Sequence, residues 1–407
     1  MSAKRRSGRE PDQAVGRSPG IDRRDFLRIA GLGAGTLVVA GAAGLTWRAV
    51  DGGVFATGTG PAYAAWDTAG LAGGDGLALV RNAVLAANAH NAQPWTFRLA
   101  TDGIDVFADT SRGLGAMDPL EREMHVSLGC AVENLAVAAS AAGRTATVTW
   151  LPSPGDPTHV ARVDLAATVD PPSTLGSAIA SRNTRRGPYD TRRTLAQGQL
   201  DALGSLADGR DVEVVWWTQD APMTTFGDLT VRATEAIIAD EQQAADDFAW
   251  YRTSWSEIQL RKDGITIDPS GQTPLVRALA KLVPVSRVQN NAGWLRGTRD
   301  SQVPTAAAFG ALVVDDAHDP LRGLQAGRVW QRLALEATRA GVGVQPLCQV
   351  LERIDREAEL GLPPDITPAL GALLPHGRHA VMTFRAGYPT DEALASPRRP
   401  AREVVLS

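Results

Sequence analysis

At 407 residues and a formal net charge of −4, the chain is long enough to bury a large core and lacks the basic excess that nucleic-acid binding needs. Two cysteines, Cys130 and Cys348, exclude a disulfide framework and a cysteine-based zinc site. The histidines stand singly except His376 and His379, which follow a proline with no acidic ligands clustered beside them, so no metal centre is read.

Residues 1–28 are basic, polar and rich in Gly, Ser and Pro, a composition that stays disordered. An apolar run, 29–47, follows and includes Gly31, Gly33, Gly35, Gly41 and Gly44. So much glycine would cost a buried soluble helix roughly 1 kcal/mol per residue. The run is close to the ~20 residues that span a bilayer. Arg23 and Arg24, then Phe26-Leu27, precede it, and together they resemble a twin-arginine export signal, a signal peptide. That resemblance implies a partner, the twin-arginine export machinery, and a cofactor inserted before export. It implies a periplasmic or extracellular location, or anchorage to the plasma membrane by an uncleaved signal. Ala62-Tyr63-Ala64 is a small-x-small cleavage motif, and 57–76 reads as a Gly/Ala linker, so the folded part is expected to start near Leu77.

From there the pattern predicts a helix over 77–88, a hairpin of strands 95–99 and 104–108 around Thr101-Asp102-Gly103, and a long helix over 119–142. Leu120, Met124, Leu128, Val132, Leu135 and Ala139 form the helix's buried stripe, and Gly143 ends it. Strands 145–151 and 159–165 complete this unit. A second unit has a helix from Pro172 to Arg182, an arginine cluster, a helix over 195–206 and a strand over 212–217. An acidic helical region over 221–258, an irregular or partly helical stretch over 263–304, a strand over 307–314, a helix over 320–340 and a strand over 380–385 follow.

The two long helices look like copies. Asp118-Pro119-Leu120 opens one and Asp319-Pro320-Leu321 the other, and Leu135-Ala136, Ala139 and Ala142-Gly143 recur as Leu333-Ala334, Ala337 and Ala340-Gly341. The spacing points to a tandem duplication.

Three segments carry chemistry. Between the first helix and strand lies Asn88-Ala89-His90-Asn91-Ala92-Gln93-Pro94-Trp95, a turn packed with side-chain amides that can serve as uncharged donors and acceptors. The same amides could equally cap backbone groups in an ordinary loop. Arg182-Asn183-Thr184-Arg185-Arg186 supplies guanidinium forks suited to a phosphate, or to salt bridges with the acidic 235–247 region. Gly341-Val342-Gly343-Val344-Gln345-Pro346-Leu347-Cys348-Gln349 is the third.

Taken together these resemble the nitroreductase family, in particular its Acg-type branch. Asn91, Gln93, Pro94 and Trp95 are similar to the family's FMN-binding turn, with Ala87, Asn88 and Ala89 in place of Pro-Ser-Ser. Arg182, Thr184, Arg186 and Tyr189 match its arginine signature, from which Asn183 departs. The 341–349 stretch resembles the segment whose amides reach flavin N5, with Gln349 in place of glycine. Gly387-Tyr388-Pro389 resembles the family's Gly-Tyr-Pro, and Arg398-Arg399-Pro400 its C-terminal basic phosphate clamp.

In the family the arginine signature precedes the amide turn and meets the turn of a second subunit. Here it follows the turn, as in a dimer fused into one chain. The resemblance therefore implies an α+β, nitroreductase-like fold: two fused halves forming a pseudo-dimer, a mixed sheet and long core helices. The expected division is 1–64 for the disordered and signal segments, 65–169 for the first half and 170–407 for the second.

It further implies a monomer with one FMN, held by Asn88, Asn91, Gln93, Arg182, Asn183, Thr184, Arg186, Pro346, Cys348, Gln349, Arg398 and Arg399. The implied activity is an FMN-dependent oxidoreductase, passing hydride through flavin N5 from a small-molecule donor to a nitro, quinone or similar acceptor. No side-chain acid or base is assigned, and His90 and Cys348 are read as packing or hydrogen-bonding residues. Two alternatives stand beside it: an exported flavin-sequestering or storage protein with an occluded site, and a cofactor-free partner-binding protein.

Overall fold

The computed structural model describes residues 48–69, 74–207, 211–283 and 285–406, so the twin-arginine motif and the apolar run lie outside the described residues. The first half runs α1 (Gly76–Ala83), β1 (Trp95–Leu99), β2 (Gly103–Ala108), α2 (Arg122–Ala141), β3 (Arg144–Trp150) and β4 (His159–Ala167). The second runs α3 (Gln197–Gly204), β5 (Glu213–Trp217), α4 (Asp220–Ala239), α5 (Glu241–Ala249), α6 (Trp255–Arg261), α7 (Pro274–Leu282) and α8 (Arg287–Gly297), then β6 (Ala308–Val314), α9 (Pro320–Arg339), β7 (Gly343–Pro346), α10 (Gln349–Leu360) and β8 (His379–Gly387).

The strands form two four-stranded sheets, ordered β1-β2-β4-β3 and β5-β6-β8-β7. The two orders are the same, and each half threads its long helix, α2 or α9, between its second and third strands. All paired strands are antiparallel, not mixed as expected. Parallel contact is confined to isolated bridges such as Phe97 with Val405.

The core lies between the sheets, around α2 and α9. These helices cross where two glycines face each other. A Cβ on Gly129 would lie 2.0 Å from the Leu324 carbonyl oxygen, and one on Gly327 would lie 2.1 Å from that of Val126. Only bare backbone fits there. Beside the crossing, Glu133 receives Arg328 Nε at 2.6 Å and Arg332 Nε at 2.8 Å, and Gln331 Nε2 donates to Asn134 Oδ1 at 2.7 Å. In β6 every residue is buried. Ala308, Leu312 and Val314 join the main core, while Phe309, Ala311 and Val313 pack with Phe226 and Leu351 on the opposite face. A strand covered on both faces reads as an unbroken apolar run.

Several expected boundaries shift for identifiable reasons. Helix α2 starts at Arg122 because the Asp118 carboxylate accepts from the Glu123 and Met124 amides, with Glu121 left-handed at φ 55°. The region read as one helix over 221–258 breaks at Asp240, whose carboxylate caps Gln242 and Gln243, and again before Ser254, which caps Glu257. The helix expected from Pro172 is only a 3-10 stretch, Thr174–Ala178. Strand β7 and helix α10 are additions to the expected elements.

The largest correction concerns the start of the fold. The linker expected over 57–76 does not hold for 57–69, and the fold begins well before the expected Leu77, being ordered from Arg48. Ala49 and Val54 pack against Ala278, and Ala62 and Tyr63 against Ile258. The Ala62 amide donates to Gln259 Oε1 at 2.9 Å, and Trp66 Nε1 donates to the Ser396 carbonyl at 2.8 Å.

Candidate functional site

The elements enclose a cavity of about 710 Å3. One wall is the turn after α1. His90, Asn91 and Gln93 all have positive φ, at 48°, 55° and 55°. Each such residue costs on the order of 1–2 kcal/mol, so the surroundings must impose the shape. They do so through side-chain amides. Asn88 Oδ1 accepts from the Gln93 amide at 2.8 Å. Asn91 Nδ2 donates to the carbonyls of Gly264 and Pro397, and Gln93 Nε2 to that of Lys262. The Arg399 amide donates to Gln93 Oε1 at 2.8 Å.

A second part of the site is a group of guanidiniums. Arg182 and Arg398 are each only 4% exposed, and Arg186 lines the cavity together with Thr184. Arg182 donates to the Leu85 carbonyl at 3.1 Å, and Arg398 donates to Asn91 Oδ1 and lies over the Trp66 ring. Among the described residues no carboxylate pairs with Arg182, Arg186 or Arg398, and the Nε atoms of Arg182 and Arg398 have no hydrogen-bond partner. Burial pulls the Arg182 guanidinium down to about 10, and the Arg186 charge adds to the effect. Burial likewise pulls Arg398 well below its ordinary value, helped by Arg182 and Arg186. Two buried cations and a half-buried third repelling one another without an anion are costly unless a negative group joins them.

The third wall is the end of β7 and the start of α10. Pro346, Cys348 and Gln349 line the cavity there. The first amides of a helix have no partner within it, so α10 presents free N–H groups and the positive end of its dipole. Burial raises the Cys348 thiol well above its ordinary value, so it stands as the neutral thiol.

Of the expected site residues, Asn88, Asn91, Thr184, Arg186, Pro346, Cys348 and Gln349 line this one cavity, and Arg182 and Arg398 pack beside it. Gln93, Asn183 and Arg399 do not reach it. Gln93 is fully buried within its turn, Asn183 Nδ2 turns back to the Ser181 carbonyl, and Arg399 donates to the carbonyls of Gln93 and Trp95.

The sequence reading missed an acidic group on the cavity. Glu123, Asp247 and Glu352 all line it and are at most 7% exposed. One oxygen of each, Glu123 Oε1, Asp247 Oδ2 and Glu352 Oε2, lacks a hydrogen-bond partner. His90 Nε2 meets Asp247 Oδ1 at 2.9 Å, and Arg122 Nε donates to Asp355 Oδ2 at 2.8 Å. Burial, then the Glu123 charge, raises Asp118 to about 7 and holds Glu352 well above the ordinary carboxylate range.

Raised carboxyl values mean the folded state binds protons that the unfolded state has released. Asp118 therefore weakens the fold progressively as pH rises from about 4 towards about 7. Glu352 acts in the same direction. Glu352→Gln is expected to flatten the fall in melting temperature of the ligand-free protein between pH 5 and pH 8. An unchanged fall would remove Glu352 from this account.

No family model matches the chain. A Mycobacterium tuberculosis protein named as an NAD(P)H nitroreductase is 33% identical over 326 residues, spanning 79% of this chain and 87% of that protein. The chain belongs to the nitroreductase family. A second relative from that organism, the NAD(P)H nitroreductase acg, is 34% identical over 113 residues. That match spans 27% of this nitroreductase-family chain and about a third (34%) of the relative's own length. Likeness to solved structures is distant. A nitroreductase of Anabaena variabilis aligns over 70% of this chain and 69% of its own at 11% identity, with a TM-score of 0.38. An FMN-dependent nitroreductase of Mycobacterium smegmatis in complex with NADPH aligns over 56% of this chain and 96% of its own at 18% identity, with a TM-score of 0.32.

Proposed function

We propose that this nitroreductase-family chain binds one FMN in the cavity and acts as an oxidoreductase between a reduced nicotinamide donor and a small electron acceptor. The observation that carries the reading is a set of guanidiniums with no carboxylate partner among the described residues, buried Arg182 and Arg398 and half-buried Arg186, at a cavity also lined by Thr184 and the first turn of α10. A phosphate monoester supplies the missing anion, and guanidinium forks match its oxygens. Thr184 would add a neutral donor.

When bound, the flavin supplies two-electron hydride chemistry at its N5. The chain's residues orient and polarise. The turn over 88–93 is fixed by its own amide bonds, and the α10 amides offer donors to the electron-rich ring edge. Residues within 52–56 and 251–302 line a further part of the cavity. The common strand order and the Gly129–Gly327 crossing support the view that the halves descend from a tandem duplication and fold as a monomeric pseudo-dimer.

Those same lining segments favour a second reading, flavin sequestration without turnover. Anaerobic addition of NADPH or NADH to the yellow protein separates the two. Bleaching of the flavin band within seconds is the result expected of a reductase. A band that resists both donors would favour sequestration, and a protein that takes up no flavin would contradict both.

A further inference from the structure

The segment over 269–299 holds five basic residues, Arg277, Lys281, Arg287, Arg296 and Arg299, and no Asp or Glu, within a chain whose net charge is −4. It also carries the largest grouping of exposed aliphatic side chains. On α7, Leu275 and Leu279 are 46% and 54% exposed, and Val283 just beyond is 61% exposed. Leu275 and Leu279 are four apart and share one helix face, and Val283 follows it in extended backbone. Val288 on α8 is 76% exposed. Among the described residues nothing covers this grouping, and an uncovered apolar face marks a docking surface.

The chain itself points to the occupant. Arg48, the first described residue, donates to the Leu282 carbonyl at the end of α7, and Ala49 and Val54 pack on Ala278. The 19 residues before it, 29–47, are the sequence's longest apolar run and nearly the ~20 that cross a bilayer. The small-x-small motif Ala62-Tyr63-Ala64 is closed to a peptidase in the folded chain. Ala62 is fully buried and its carbonyl accepts from the Arg398 amide at 2.7 Å. A run that stays attached delivers the chain to water beside α7.

We propose that the exposed face of α7, with Val283 and Val288, docks on the surface of an anionic lipid bilayer. Apolar side chains enter the acyl boundary while Arg48, Arg277 and Arg296 meet the headgroups, as in interfacial amphipathic helices. The adjoining side of the same helix, through Ala280 and Val276, itself 42% exposed, lines the cavity. Docking therefore sets one cavity wall against lipid and gives lipid-dissolved molecules a short approach to it.

The test uses the full chain in vesicles of mixed phosphatidylglycerol and phosphatidylcholine. Leu279→Cys and, separately, the fully exposed Val169→Cys carry an environment-sensitive fluorophore. Cys130 is buried, and Cys348, which lines the cavity, is replaced by Ser in both labelled variants. Nitroxide lipids are expected to quench the probe at 279 at least fivefold more than the probe at 169. Adding Leu275→Ser and Val283→Ser is expected to abolish that difference while the chain still floats with the vesicles. Equal quenching at both positions would mean tethering without docking. A blue-shifted but unquenched probe at 279 would mean that protein, either a second copy or the 29–47 segment, covers the face. Either result overturns the proposal, and neither depends on flavin binding.

Discussion

Gly129→Ala is expected to destabilise the protein by about 3 kcal/mol or more, the upper end of overpacking effects. Within an ordinary helix the change would stabilise by roughly 0.5–1 kcal/mol, because glycine loses more freedom on folding. Here the sign reverses. The added methyl would sit 2.0 Å from the Leu324 carbonyl oxygen and 3.0 Å from the Gly327 Cα, both backbone atoms that cannot swing aside. Relief requires the two long helices to separate, and with them the two halves. Gly198→Ala in the exposed part of α3 is the control, since nothing lies within 4 Å of its added carbon. Urea midpoints should move in opposite directions for the two variants. A neutral Gly129→Ala would mean that the crossing is looser than the coordinates show.

Arg182→Leu is expected to act in two directions at once. The ligand-free protein should become as stable as the parent or more so, because replacing a buried, unpaired charge by an apolar side chain of similar bulk is neutral or stabilising by about 1–4 kcal/mol. FMN affinity should fall roughly 10- to 100-fold, the equivalent of one or two charge-assisted hydrogen bonds. A purely structural arginine would give only destabilisation. Thermal melts with and without added FMN read both effects, and stabilisation by ligand follows its free concentration over its dissociation constant.

The sequence carried the parts of this site that depend on local chemistry. The amide turn was legible because Asn and Pro stop a helix and Trp95 opens a strand. The arginine segment was legible as a possible phosphate site because guanidiniums cluster within five residues. Individual assignments within those motifs were less secure. Gln93 and Arg399 belong to the right neighbourhood, yet their polar atoms are consumed in holding each other and the turn.

Other features arise only through tertiary packing. Glu123 and Glu352 stand in polar stretches, Glu121-Arg122-Glu123 and Glu352-Arg353, that read as solvated helix faces. Their burial comes from the meeting of α2 and α10 at the cavity, which no periodicity announces. Residues 57–69, within the stretch read as linker, give no helical stripe because they are rich in glycine and alanine, and they become ordered against α6. The antiparallel register follows from the hairpin β1-β2 and its counterpart β5-β6, and a mixed sheet was an expectation of the family resemblance, not of the strand pattern.

The most direct test of the central claim compares FMN with riboflavin on the flavin-free protein by calorimetric titration. The two ligands share the ring and differ only in the phosphate. If Arg182, Arg186 and Arg398 await that phosphate, FMN should bind with one site per chain and at least ~100-fold more tightly, corresponding to roughly 2.7 kcal/mol, and Arg182→Leu should shrink the gap. Equal affinity for the two would show that the guanidinium cluster serves another anion and would contradict this account.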